Sequence, residues 1–146
     1  GLANGLPSGA LLGKSSLAPA FGPGSHGSTF GGNKLAMAAA LETLQIMKEA
    51  GFMEEVRSKS VILLEQLQFA FQDHPKISAV RGLSMMFGIE TSASLSKIVE
   101  AARQKGLIIL TAGENVIRLL PPLTINREEI QQGIAIFKAV FSELDE

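Results

Sequence analysis

The chain contains no cysteine, which removes disulfide staples and thiolate-held metal sites and fits a reducing, intracellular setting. Charge of one sign is also missing: 13 basic residues against 14 acidic leave a net charge of −1, so the electrostatic footprint of a nucleic-acid binder is absent. No apolar run approaches the roughly eighteen residues of a membrane-spanning helix. Histidine is scarce, with only His26 and His74. Neither has a second ligand at metal spacing, so no metal site is expected. His74 precedes a proline and reads as a turn residue, whereas His26 lies in a loop where it could touch a ligand. No serine–histidine–acid arrangement can be argued from position.

What is present suits a folded protein. Hydrophobic residues make up 46% of 146, enough for one good core or two small ones. The chain opens on Gly1 rather than Met, inside the glycine-punctuated stretch "GLANGLPSGALLGKSS", and a piece of a longer protein is expected.

Periodicity supplies the elements. "ALLG" (10–13) is a short apolar run that predicts a buried strand. Asn33 is placed to cap a helix carrying Met37, Leu41, Leu44 and Met47, stopped at Gly51. A second helix carries Phe52, Val56, Leu63, Leu67 and Phe71, with Glu54, Arg57, Lys59 and Glu65 on its exposed side. "SMMFGIE" (84–90) alternates, with Met85, Phe87 and Ile89 on one side, and "ISAV" before it could pair with it. Ser94 is expected to cap a helix of Leu95, Ile98, Val99 and Ala102, closed by Lys105 and Gly106. "LIILT" (107–111) and "VIRLL" (116–120) flank "AGEN", a hairpin by turn chemistry, and the two prolines at 121 and 122 end its second strand. Asn126 and Glu129 form a capping box for a last helix with Ile130, Ile134, Phe137, Phe141 and Leu144 inward. Residues 76–146 thus read as a sheet covered by helices on one face.

The least ordinary stretch is "GPGSHGSTFGGN" (22–33), five glycines with hydroxyls at Ser25, Ser28 and Thr29. A run of glycine implies tight backbone demands or something approaching closely, or else a flexible linker, and composition alone does not choose. "GPGSHG" spells the dinucleotide fingerprint but lacks a strand directly before it and a helix directly after, so it is rejected. "GALLGKS" (9–15) falls short of a phosphate-binding P-loop, with Ser8 where the first glycine belongs, and Lys14 reads as a solvated charge. Arg118 stands in "VIRLL", where both strand faces are apolar. It is either one half of a structural ion pair or a clamp for a carboxylate, which a planar guanidinium matches bidentately. Periodicity does not decide between them.

Together, "GLANGLPSGA", "GSHGSTFGGN", "RGLSMMFGIE", "GLIILTAGENVIRLLPPLTI" and the closing helix resemble the C-terminal part of class III aminotransferases. The resemblance covers nearly the whole chain, and "LTAGENVIRLLPPL" is its most telling stretch. It implies an α/β fold, the C-terminal part of a fold-type I transferase dependent on pyridoxal 5′-phosphate. Residues 1–50 would be the tail of the large cofactor-binding domain and residues 51–146 the small C-terminal α/β domain. It also implies a cytoplasmic homodimer in which loop 22–33 reaches the other subunit's site. There Thr29 would bind the cofactor phosphate and Ser28 would lie beside the substrate, while Arg118 would receive the α-carboxylate of glutamate or 2-oxoglutarate. Within the family the likeness is greatest to enzymes that move an amino group from N-acetylornithine to 2-oxoglutarate in arginine biosynthesis. Ornithine, succinylornithine and 4-aminobutyrate are the alternative donors. From another class, the alternative is a non-catalytic α/β interaction domain whose glycine loop is only a linker.

The family's Schiff-base lysine immediately precedes the "GLANG" segment, and neither Lys14 nor Lys34 matches its position. The acid facing the pyridine nitrogen, the stacking aromatic and a second carboxylate-binding arginine also lie upstream in the family. No catalytic residue is therefore assigned, and the chain alone is expected to be inactive. Ser8 and Lys34 depart from the usual pattern at positions that bear on packing and the helix start.

Overall fold

The computed structural model describes residues 1–144, and the chain divides into two units, Gly1–Met53 and Glu54 onward. In the first unit the strand expected at 10–13 is absent. Residues 7–14 have no regular structure, Leu11 and Leu12 are 79% and 96% exposed, and a 3-10 helix, Ser15–Ala20, follows. A strand exists only by pairing its backbone, and no strand stands in this unit to pair with it. Helix α1, Lys34–Met47, begins where expected: Asn33 Oδ1 accepts from the N–H of Ala36 at 2.9 Å. Gly51 then takes a φ of +85°, which only glycine adopts freely. The helix buries a different face from the one its large residues mark. Ala36 and Ala40 are buried, while Met37, Leu41 and Leu44 are 39%, 58% and 42% exposed.

The second unit is a four-stranded antiparallel sheet with helices on one face. Helix α2, Phe52–Phe71, leads to the strands β1, Ile77–Leu83, and β2, Met86–Thr91. Helix α3, Leu95–Gln104, precedes β3, Leu110–Ala112, and β4, Val116–Leu119, and helix α4, Arg127–Leu144, ends the described chain. The strand order is β1-β2-β4-β3, so the "AGEN" hairpin docks its second strand on β2. Phe87, Ile89 and Ile117 carry the inner sheet face. They bury against Leu63, Leu67 and Phe71 of α2, Ile98 and Ala102 of α3, and Ile130, Phe137, Val140 and Phe141 of α4. Each of the larger side chains contributes about 1.5–3 kcal/mol of transfer free energy, which makes this cluster the main source of stability.

Local chemistry closes the elements. The N–H of Asn126 donates to Glu129 Oε2 and the N–H of Glu129 to Asn126 Oδ1, both at 2.8 Å, as a capping box should. Helix α3 ends in a Schellman motif: the N–H of Leu107 donates to the carbonyl of Ala102 at 2.8 Å, with Gly106 at φ +81°. That bond commits Leu107 to the helix end, and β3 starts only at Leu110 instead of at 107. Ser94 precedes α3 without a side-chain cap; instead, Thr91 Oγ1 accepts from the N–H of Ala93 at 3.1 Å. Lys59 is not on the exposed side of α2. It is 6% exposed, donates from Nζ to the carbonyl of Leu123 at 3.0 Å, and pairs with Glu55 at 3.1 Å.

Candidate functional site

Loop 22–33 is a chain of short turns. Both the N–H and Oγ of Ser25 donate to the carbonyl of Gly22, at 3.1 and 2.7 Å. The N–H of Gly31 donates to the carbonyl of Ser28 at 3.4 Å, and Asn33 closes on the carbonyl of Phe30 through its N–H at 3.3 Å and Nδ2 at 2.9 Å. Three positions demand glycine, for two reasons. Gly24 and Gly32 have φ of +82° and +70°, and a Cβ on Gly31 would stand 2.9 Å from Cβ of Ser28. A flexible linker needs none of these bonds. Ser28, Thr29 and His26 are all exposed, as are Lys14 and Lys34. The Ser28 and Thr29 hydroxyls enter no hydrogen bond among the described residues. Hydroxyls and N–H groups presented this way fit a phosphate, whose charged oxygens need close, unhindered donors.

Arg118 is built by the sheet of the second unit. Ile117 is fully buried and Leu119 packs on the core, so alternation turns Arg118 to the face without helices. In register it stands opposite Gly88 of β2 on one side and Leu110 of β3 on the other. Its Nε is buried and has no hydrogen-bond partner among the described residues. The ion pairs among the described residues, Lys59–Glu55, Arg81–Glu90, Arg103–Glu100 and Lys105–Glu143, leave Arg118 out. A buried unpaired donor costs about 1–3 kcal/mol, more for a charged group, so this guanidinium fits a carboxylate better than it fits its present surroundings. The ion-pair alternative thus finds no carboxylate among the described residues.

Ser28 and Thr29 share one loop of the first unit, and Arg118 belongs to the second. An apolar cavity of about 360 Å³ lies elsewhere in the second unit, among Leu63, Leu119, Pro122 and Phe137. Its one carboxylate, Glu129, is spent on the capping box, so the cavity is not where the chemistry stands. Sequence reasoning passed over the Arg81–Glu90 pair, which lies on the same open sheet face as Arg118. Both residues alternate with apolar neighbours, but only the register shows that they share that face.

The chain is 57% identical to the acetylornithine aminotransferase of Streptococcus mutans over 98% of its length, and 52% identical to that of Listeria innocua over 98%. It spans only 38% and 37% of those two proteins. Among solved structures, it matches the ornithine aminotransferase of Plasmodium yoelii with a TM-score of 0.82 at 28% identity, over 92% of this chain and 36% of that one. It matches the acetylornithine aminotransferase of Elizabethkingia anophelis with a TM-score of 0.76 at 27% identity, over 90% and 36%. The family described as aminotransferase class-III matches residues 1–141, and the chain belongs to that family.

Proposed function

We propose that the longer protein carrying this chain transfers the amino group of N-acetylornithine to 2-oxoglutarate, a step of arginine biosynthesis in the cytoplasm. The family works with pyridoxal 5′-phosphate, which supplies the electron sink at the carbon that loses or gains the amino group. The chain's own residues bind and orient. Thr29 donates its hydroxyl to the cofactor phosphate, helped by backbone N–H groups that the flanking glycines leave uncovered. Ser28 lies beside the substrate. Arg118 takes the α-carboxylate of glutamate or 2-oxoglutarate in a two-pronged bond, which holds the reacting carbon in place and excludes water from the carboxylate.

In this reading residues 1–50 end the large domain, residues 51–146 form the small one, and the protein is a homodimer whose loop 22–33 serves the neighbouring subunit's site. The chain covers little more than a third of its relatives' length, and by itself it is inactive.

The donor assignment rests on one observation, the identity above one half to two acetylornithine aminotransferases. In shape the ornithine aminotransferase of Plasmodium yoelii matches as well as the acetylornithine enzyme of Elizabethkingia anophelis, so free ornithine is the second choice. Rates of the longer protein on N-acetylornithine and on ornithine, with 2-oxoglutarate as acceptor, decide it. A kcat/KM at least tenfold higher for the acetylated donor is expected. Preference for ornithine overturns the assignment, and a protein that takes up no pyridoxal phosphate overturns the enzyme reading altogether.

A further inference from the structure

Arg118 stands almost at the end of its strand. On the β3 side the ladder closes with Leu110 opposite Arg118, and on the β2 side with Phe87 opposite Leu119. Pro121 and Pro122 follow, with no N–H to carry the ladder on. Leu119 and Ile125 pack on the core, and the residues between them leave the sheet as irregular chain. Among the described residues, the hydrogen bond that fastens this exit to another element comes from Lys59 on α2, whose Nζ donates to the carbonyl of Leu123 at 3.0 Å. The same ammonium lies 3.1 Å from Glu55 Oε1, and the lysine is buried. Packing holds its stem, and a carboxylate and a carbonyl hold its head.

We propose that Lys59 is a positioning residue for the carboxylate clamp: by holding the Leu123 carbonyl it fixes the exit of β4, and with it the place of the Arg118 guanidinium. This role rests on the reading of Arg118 as that clamp, and it holds whichever group Arg118 pairs with before substrate arrives. A strand end with no ladder beyond it frays, and fraying moves its last side chains off the sheet. A two-pronged bond to a carboxylate needs the guanidinium plane in one orientation, so it tolerates that movement less than a point charge does. With the exit loose, only the molecules whose β4 is closed bind well, and the apparent affinity falls by that fraction. Saturating substrate gathers the molecules into the closed form, so kcat is spared.

The test uses the longer protein, loaded with cofactor, well below the melting temperature of each variant. A strand end closed in roughly a third to a tenth of molecules raises KM for 2-oxoglutarate about three- to tenfold in Lys59→Met, with kcat and cofactor affinity unchanged. Backbone amides of residues 119–125 exchange faster with solvent, while those of α4 keep their protection. Lys59→Arg keeps a buried donor and stays near the parent KM. In an Arg118→Lys background Lys59→Met adds no further rise, because an ammonium has no plane to orient. A purely structural bond predicts otherwise: lower melting in Lys59→Met with KM unmoved, or a rise of the same size on top of Arg118→Lys. Either result overturns the proposal, as does unchanged exchange at 119–125. If Lys59→Met melts too low to assay, Lys59→Gln, a shorter and neutral donor, takes its place with the same expectations. Arg118→Lys by itself is the control for the underlying reading. If it raises KM while Lys59→Met does not, only the positioning role falls; if it leaves KM unchanged, the clamp and the proposal fall together.

Discussion

Lys59 and Leu123 are joined across the second unit: the buried ammonium of one donates to the backbone carbonyl of the other at 3.0 Å. The bond ties the first half of α2 to the segment that follows the two prolines ending β4. Lys59→Met keeps most of the buried stem but leaves that carbonyl without its donor. A loss of about 1–3 kcal/mol is expected, the cost of leaving a part-buried acceptor unsatisfied. Urea unfolding measures it, and a change within experimental error would show the bond to be idle.

Gly82 and Phe87 are partners across β1 and β2. A Cβ on Gly82 would stand 2.5 Å from Cδ1 of Phe87 and 2.9 Å from the carbonyl oxygen of Met86. The ring is 1% exposed and has no room to retreat. Gly82→Ala should therefore destabilise the sheet by about 1–3 kcal/mol, as overpacking does. An alanine variant with unchanged melting would show that the strand pair relaxes freely.

Arg118→Lys keeps the charge and loses the fork. In the longer protein, kcat/KM for 2-oxoglutarate should fall about tenfold or more, since a hydrogen bond to a charged group is worth roughly 1.5–3 kcal/mol. Stability should change much less, because the lost Nε donor has no hydrogen-bond partner among the described residues. Early melting with unchanged 2-oxoglutarate kinetics would assign Arg118 a structural role instead.

Thr29→Val removes a hydroxyl and preserves shape and β-branching. Affinity for pyridoxal phosphate should drop about ten- to a hundredfold. Mixing then tests whether the loop serves a neighbouring subunit. Subunits lacking only the cofactor-bearing lysine are combined with subunits carrying Thr29→Val. In a crossed arrangement one site of the mixed dimer collects both lesions and the other is intact, so roughly half of the parent activity per dimer returns. If the threonine serves its own subunit, each site keeps one lesion and mixing restores nothing.

Much of this chain was legible because its signals are local. The Asn126–Glu129 box, the Asn33 cap, and the glycines at 51, 106 and 113 that take positive φ each act within a few residues. Composition left the five-glycine loop 22–33 open between a tightly constrained backbone and a flexible linker, and its turns carry bonds that a linker does not need. The failures are equally instructive. "ALLG" has the apolarity of a strand, but no strand in its unit offers it an edge. Lys59 reads as solvated from its charge, yet a carbonyl 64 residues away draws it inside. The large residues of α1 mark one face, and the helix buries the alanines of another.

By itself, the sequence determined where helices and turns begin and end, and through its motifs the family, because caps, glycine conformations and short motifs are settled among near neighbours. Only the tertiary structure decided which residues share a face. Strand order β1-β2-β4-β3 sets Glu90 diagonal to both Arg81 and Arg118, and no periodicity within one strand carries that information. Register is a contest among distant segments, won by the pairing that buries Phe87, Ile89 and Ile117 together. The place of Arg118 on the opposite face is a consequence of that burial.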